Sequence, residues 1–242
     1  MELTYLAFLA VFVLVPLAVL GAVSVRSPNP YRPRAGVRAA GTALMVVLAL
    51  VYTTPWDNYL ISEGVWWYGE GRVAARVWLA PLEEYAFIVL QSVLVATWTF
   101  RVAGPVDATV AQRPRDVVIG ALAGIAVSAV GVALLAGPQS SLYMGAILAW
   151  AGPVFALQWA VGWRYLVAIR RRVAAGVGVP TAYLCGADWI AIRNGIWTIS
   201  SEHTTGLALA GLPVEEATFF LLTTAFVVQG LVLLRWVMAR WG

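Results

Sequence analysis

Apolar residues in this chain gather into runs of about 20, the length that crosses the apolar core of a bilayer as a helix. They fall at 3–25, 38–56, 78–100, 117–136, 142–163, 174–191 and 210–234. The pattern predicts seven transmembrane helices and an all-α integral membrane protein. The sixth run is the weakest. Gly176, Gly178 and Pro180 lie in it, and they predict a kink or a break there. The segment Ser27–Arg34, with Pro28, Pro30 and Pro33, reads as a short rigid loop rather than a domain linker.

The arginines between the runs give the orientation. Arg26, Arg32, Arg34 and Arg38 follow the first run, and Arg101, Arg113 and Arg115 the third. Arg164, Arg170, Arg171 and Arg172 follow the fifth, and Arg235 and Arg240 end the chain. Arg72, Arg76 and Arg193 fall on the other face. The positive-inside rule then predicts a multi-pass protein of the cell membrane, N-terminus outside and C-terminus in the cytoplasm. The first run is not a secretory signal, because its positive charge follows the apolar stretch.

Composition sharpens this picture. Of the 242 residues 61% are hydrophobic and 12% charged, with a mean hydropathy of +0.81. Soluble domains carry about 45–50% apolar and about 25% charged residues. A soluble enzyme, a disordered chain and a disulfide scaffold are excluded. The net charge of +4 is explained by the orienting arginines and implies no nucleic-acid partner. One histidine, His203, builds no multi-histidine metal site, and one cysteine, Cys185, makes no internal bridge. Every basic residue is arginine, so no lysine Schiff base forms and a retinal-linked receptor is excluded.

The chain also repeats itself. Asp57, Gly64 and Trp66 recur as Asp188, Gly195 and Trp197, 131 positions on. Pro81-Leu82-Glu83-Glu84 recurs as Pro213-Val214-Glu215-Glu216, 132 positions on, and Pro16 answers Pro153. Spans 1–3 and 5–7 therefore read as two copies of one unit running in the same direction, parallel three-helix repeats joined by a linker helix. The predicted division is 1–101, linker 102–140, and 141–242. Gly120, Gly124 and Ser128 on the linker span predict close helix packing.

The carboxylates carry the chemistry. Asp57, Glu63, Glu83, Glu84, Asp188, Glu202, Glu215 and Glu216 gather near one set of span ends. In a soluble protein Pro-x-Glu-Glu is explained as a helix start, with proline at the first position and acids favouring the dipole. Here each pair opens a membrane span, where acids are costly and functional. Two adjacent carboxyls in an apolar setting do not both ionise readily, so one keeps its proton and the pair is an acid–base couple. Many tryptophans in such a chain are interface anchors. Yet Trp56, Trp66, Trp67, Tyr68, Trp78 and Tyr85 crowd the first pair, and Trp189, Trp197, Phe219 and Phe220 the second. Ring faces stabilise cations by about 0.5–2 kcal/mol each. Acids and aromatic faces without a nucleophile or metal ligands suit carbocation chemistry on an apolar substrate.

Two Pro-x-Glu-Glu runs, each opening a span with an aspartate at the end of the span before, resemble the membrane-integral lycopene beta-cyclases. These occur as heterodimers in some bacteria and as fused chains in haloarchaea and fungi. The resemblance covers nearly the whole chain as two fused subunit-like halves. It implies conversion of lycopene to beta-carotene, an isomerisation without cofactor or obligatory partner subunit, with lycopene and membrane lipid as the molecules met. It implies catalytic roles for Glu83, Glu84, Glu215 and Glu216, with Asp57 and Asp188 as the upstream acids. Trp56, Asn58, Trp66, Trp197 and Phe219 are expected to bind substrate. One acid protonates C2 of the terminal double bond, the C5=C6 bond attacks the C1 cation, and a carboxylate removes the proton from C6. The first glutamates, Glu83 and Glu215, are expected to be the primary pair because their spacing from the proline is fixed. Glu84 and Glu216 would tune them. Both pairs are expected at one composite pocket near the outer face. Asn58 is matched by Trp189, so the halves are not equivalent in every respect.

Two other classes fit the sequence less well. A small-solute transporter shares the three-plus-one-plus-three arrangement, but its polar groups would sit mid-membrane. A Mg²⁺-dependent prenyltransferase would need spaced aspartate-rich motifs and basic groups for diphosphate. Gly69-Glu70-Gly71-Arg72-Val73-Ala74 fits a dinucleotide-binding pattern, yet no strand is predicted before it and no βαβ unit contains it, so it reads as a loop. His203 is expected in a solvated loop and Cys185 as a small buried residue.

Overall fold

A computed structural model describes residues 3–241. Seven helices are found among them: α1 Tyr5–Arg26, α2 Ala35–Ser62, α3 Leu82–Arg101, α4 Pro114–Leu135, α5 Leu142–Ala168, α6 Arg170–Arg193 and α7 Val214–Trp241. Six of these, all but α3, are long and apolar enough to cross a membrane. The fold is that of an all-α, multi-pass membrane protein. Short strands cap one end of the bundle: β1 Trp66–Tyr68, β2 Arg76–Val77, β3 Ala80–Pro81, β4 Trp197–Ile199, β5 Ala208–Leu209 and β6 Leu212–Pro213.

The helices α3 and α7 form the centre. Along α3 the chain buries Phe87, Ile88, Leu94, Val95 and Ala96, and along α7 Phe220, Val227, Val228, Leu231 and Leu233. On one side α1 and α2 both pack on α3, and on the other α5 and α6 both pack on α7. Outside them α4 lies against α5. The small-residue stripe makes that contact. A Cβ on Gly124 would sit 2.1 Å from the Ala156 nitrogen, and one on Gly131 2.1 Å from the Ala149 nitrogen. Backbones so close leave no room for any side chain.

Helix ends follow from local sequence. Both α2 and α6 close with a glycine in the left-handed region, Gly64 at φ +74° and Gly195 at φ +65°. In each the next two amides turn back to the last turn: Gly64 N to Ile61 O and Val65 N to Leu60 O, then Gly195 N to Ile192 O and Ile196 N to Ala191 O. This is the Schellman closure, and it explains why glycine recurs at both places. The chain then enters β1 and β4, which pair antiparallel with Trp66 opposite Ile199 and Tyr68 opposite Trp197. One ribbon thus joins the chain leaving α2 to the chain leaving α6 over the end of the bundle. Each half adds a small hairpin, β2–β3 and β5–β6, ahead of its Glu-Glu pair.

One expectation about the spans is corrected. The helix α6 runs unbroken through Gly176, Gly178 and Pro180. The break falls instead in α5, at Gly162 (φ −169°, ψ 43°), where Leu233 and Trp236 of α7 press against the glycine. In α1 the residues Ala10–Leu14 form a π turn, which accommodates one extra residue. From Tyr5 to Pro16 is 11 positions, and from Tyr143 to Pro153 is 10. The π turn absorbs that difference.

At the opposite end arginines tie loops to helix ends. Arg235 donates to the carbonyls of Tyr31 and Gly104, Arg172 to Pro105, Arg240 to Val110 and Arg101 to Ser27. Asn29 adds its amide to the carbonyls of Phe100, Arg101 and Ala103. Asn29 thereby satisfies carbonyls left over at the end of α3, while the arginines bind carbonyls of the loops.

Candidate active site

A cavity of about 50 Å³ lies beneath the β1–β4 ribbon, between α3 and α7. Four carboxyls line it: Asp57 of α2, Glu84 of α3, Asp188 of α6 and Glu216 of α7. Around them stand Tyr5, Trp56, Trp66, Tyr68, Phe87, Tyr143, Trp197, Phe219 and Phe220, with Ile199 completing the wall. Among the described residues no basic side chain lines the cavity. Among the described residues no group of histidine, cysteine and carboxylate side chains is arranged to hold a metal ion.

The two glutamates of each pair point to different places. Successive residues on a helix are turned about 100° apart, so they do not share a direction. Glu83 is 2% exposed and turns away to the preceding loop, where Oε1 accepts from the Ala74 amide at 2.7 Å. Glu215, fully buried, does the same in the second half: Oε1 accepts from the Thr205 amide at 2.8 Å and its hydroxyl at 2.7 Å. The first glutamates fasten the loops that carry the hairpins. The second glutamates, Glu84 and Glu216, face the cavity.

Glu84 is held by two phenols. The hydroxyls of Tyr5 and Tyr68 each donate to its Oε2 at 2.9 Å. Trp66 Nε1 donates to the Tyr68 oxygen at 3.1 Å. Burial, and next the negative charge of Glu84, push the Tyr68 phenol well above its ordinary value. It therefore stays a donor at any physiological pH. Glu216 interacts with Tyr143 and with Asp188, while its Oε1 is buried without a partner. Asp188 Oδ1 accepts from Trp197 Nε1 at 2.9 Å, and Oδ2 is buried and unpartnered. Asp57, 4% exposed, stands within electrostatic reach of Tyr5, Tyr68 and Tyr143.

Aromatic rings form the floor. Trp56 lies parallel to Phe219 (centroids 5.7 Å, 3°) and to Trp150 (4.8 Å, 24°). Its Nε1 donates to the Ala146 carbonyl, so the indole is fixed in place. Tyr5 and Phe8 pack against Trp197 at 5.0 and 5.3 Å.

Of the residues expected to meet substrate, Trp56, Trp66, Trp197 and Phe219 line the cavity, and Asn58 does not. Asn58 is buried and structural. Its Oδ1 accepts from the amides of Leu79 and Ala80, and Nδ2 donates to Thr54 O and the Tyr85 hydroxyl. Its counterpart Trp189 lies under Arg193 at 4.2 Å. Trp67 and Trp78, expected near the first pair, point outward and are exposed. His203 is not solvated. It is buried, with Nδ1 2.8 Å from Ser200 Oγ and Nε2 2.7 Å from Gln139.

Tyr5 and Tyr143 are the residues that the repeat did not reveal. They are 138 positions apart, out of register with the 131 of the tryptophans, because a loop length and the π turn shift them. Allowing for that shift, Pro16 and Pro153 would have pointed to them.

The sequence pattern of the family described as Lycopene cyclase matches residues 2–102 and 140–233, so the stretch left between contains α4. A lycopene beta-cyclase of Halobacterium salinarum is 51% identical over 243 residues, covering all of both chains. Bifunctional lycopene cyclase/phytoene synthases of Gibberella fujikuroi and Aspergillus oryzae are 33% and 30% identical over 78% and 81% of this chain. The chain corresponds to about a third of each of those longer proteins (33% and 34%). No solved structure matches the chain.

Proposed function

The chain belongs to the lycopene cyclase family, and from that premise we infer that it is a lycopene beta-cyclase, closing the open ends of lycopene into beta-ionone rings to give beta-carotene. The observation that carries the mechanism is the meeting of Asp57, Glu84, Asp188 and Glu216 with aromatic faces on one cavity.

Ring closure needs an acid, a base and a surface that tolerates a cation. A carboxyl gives its proton to C2 of the terminal double bond, leaving the cation at C1. The C5=C6 bond attacks C1, the C1–C6 bond forms, and the charge moves to C5. A carboxylate then takes the proton from C6 and the C5=C6 bond reforms. Loss from C4 instead would give an epsilon ring, so the place of the base sets the product. One proton enters and one leaves, with no electron transferred. The reaction is an isomerisation, an intramolecular lyase step, and its balance calls for no redox cofactor.

The residues we assign to proton transfer are Glu84 and Glu216, with Asp57 and Asp188 beside them. Glu83 and Glu215 are positioning residues that hold the cap loops. Trp56, Trp66, Trp197 and Phe219 meet the substrate end, and ring faces of the Trp56–Phe219 kind stabilise the cation by about 0.5–2 kcal/mol each. A transporter reading finds no support. The deeper amides are used between helices, Gln91 with Thr223, Gln158 with Phe226 O and Gln229 with Trp159.

For the topology we propose seven spans, with α3 as the seventh, in two parallel three-helix repeats (1–101 and 141–242) joined by the linker 102–140. The N-terminus lies outside and the C-terminus in the cytoplasm of a cell membrane, on the arginine asymmetry. Lycopene lies along the surrounding lipid tails and presents one end at a time. Both halves being in one chain, no partner subunit is needed. The test is purified protein in lipid vesicles loaded with lycopene, with no flavin or nicotinamide added. Beta-carotene is the expected product. Unchanged lycopene would contradict the reading.

A further inference from the structure

We propose that the two halves divide the proton chemistry: the Asp188–Glu216 pair is the acid that protonates the substrate, and Glu84, held by Tyr5 and Tyr68, is the carboxylate that receives the proton from C6. This rests on the cyclase reading and goes beyond it, because the repeat alone would make the two glutamates interchangeable.

The asymmetry originates in one pair of positions. Tyr68 in β1 corresponds to Ile199 in β4, 131 positions on. In the first half the indole N–H of Trp66, a donor only, occupies the Tyr68 oxygen at 3.1 Å. The single phenol proton is thereby directed to Glu84 Oε2 at 2.9 Å, where the Tyr5 proton also arrives at 2.9 Å. Two donors on one carboxyl oxygen favour its ionised form, against the burial that opposes it. Of the two glutamates, Glu84 is the better placed to be the base.

In the second half Ile199 offers no hydroxyl. The equivalent indole, Trp197, has no phenol to meet and donates to Asp188 Oδ1 at 2.9 Å instead. Glu216 keeps one phenol, Tyr143, and gains Asp188 as a neighbour. Two carboxyls in contact inside an apolar bundle, with no cation beside them, hold together by sharing a proton. Among the described residues no N–H or O–H donor reaches Glu216 Oε1 or Asp188 Oδ2, so these are the oxygens left to carry the shared proton. Both groups line the cavity. A shared proton at the cavity is what a general acid requires.

The cycle balances. The pair loses its proton to C2, C1–C6 forms, and the C6 proton passes to Glu84. Glu84 gives that proton up to water and the pair takes a new one from water before the next ring is closed, so the proton count is unchanged.

The test uses full-length protein in neutral lipid vesicles in D2O, with lycopene as substrate and mass spectrometry of the pigments. Wild type should give beta-carotene with one deuterium at C2 of each ring. Glu84→Gln should lose at least about a hundredfold in beta-carotene, yet return lycopene labelled at C2: the trapped cation carries one protium and one deuterium at C2, and over repeated protonation and reversal the loss of protium to the acid's conjugate base leaves deuterium behind. The double substitution Asp188→Asn with Glu216→Gln should return unlabelled lycopene. Tyr68→Phe keeps the packing but removes a donor from Glu84. It should raise the ratio of labelled lycopene to beta-carotene about tenfold. Unlabelled lycopene from Glu84→Gln, labelled lycopene from the double variant, or an unchanged ratio in Tyr68→Phe would each overturn the assignment. Failure of the wild type to make beta-carotene would instead remove the cyclase reading, and the two failures are told apart by that control.

Discussion

Gln91 of α3 donates its amide to Thr223 Oγ1 of α7 at 3.1 Å, and the two residues are 132 positions apart, the spacing of the Pro-x-Glu-Glu runs. Corresponding positions of the two halves thus touch each other where α3 meets α7. Phe87 and Phe220 meet there as well, edge to face at 6.1 Å. The carboxyls converge on one cavity because the helices that carry Glu84 and Glu216 are neighbours. The chain cut in the exposed loop between Asp107 and Ala108, its halves expressed together, should therefore regain beta-carotene formation. Either half alone should give none, since each supplies two of the four carboxyls. Activity from the first half alone would contradict a composite site.

The parallel rings of Trp56 and Phe219 face the cavity, and their loss should slow chemistry rather than weaken folding. Phe219→Leu keeps an apolar side chain and removes one ring face. At about 0.5–2 kcal/mol per face, turnover should fall roughly two- to thirtyfold, with lycopene binding little changed. Product rates at saturating and limiting lycopene separate the two effects. An equal rise in KM with constant kcat would show a packing role instead.

The contact between α4 and α5 depends on bare backbone. Gly124→Val would force a side chain onto Ala156 and should lower the thermal midpoint in detergent or prevent a monodisperse preparation. Gly21→Ala in α1, where a Cβ meets nothing within 4 Å, should leave that midpoint unchanged or higher. Equal behaviour of the two variants would contradict the packing account.

The orientation is tested by reporters. A fusion after Gly242 should be active in the cytoplasm only, and one in the β5–β6 hairpin outside only. The reverse pattern would overturn the topology.

The helices were legible because apolar length is a property of sequence alone, and so was close packing by α4, which small residues at four-residue spacing announce; that its partner is α5 was not. The shared end of the acids was legible from the repeat. Which glutamate of each pair faces the cavity was not. Glu83 and Glu84 are chemically alike, and the difference between them is a rotation of α3 fixed by a bond to Ala74 in a loop. His203 misled for a similar reason: its burial depends on Gln139, 64 positions away. The break expected near Pro180 appears at Gly162, since helix continuity depends on what neighbouring helices press against. Asn58 sits next to Asp57 in the sequence but faces the β2–β3 hairpin, to which it is bonded twice.

The most direct test compares Glu83→Gln with Glu84→Gln in a lycopene-accumulating host, by pigment extraction and chromatography, with both proteins confirmed in the membrane. Glutamine at position 83 still offers an oxygen to the Ala74 amide, so most beta-carotene formation should survive, within about tenfold of wild type. Glutamine at position 84 cannot take up the C6 proton, and the cells should keep their lycopene, a loss of about 10²–10⁴-fold typical of a missing acid or base. Beta-carotene from Glu84→Gln together with lycopene from Glu83→Gln would contradict the account.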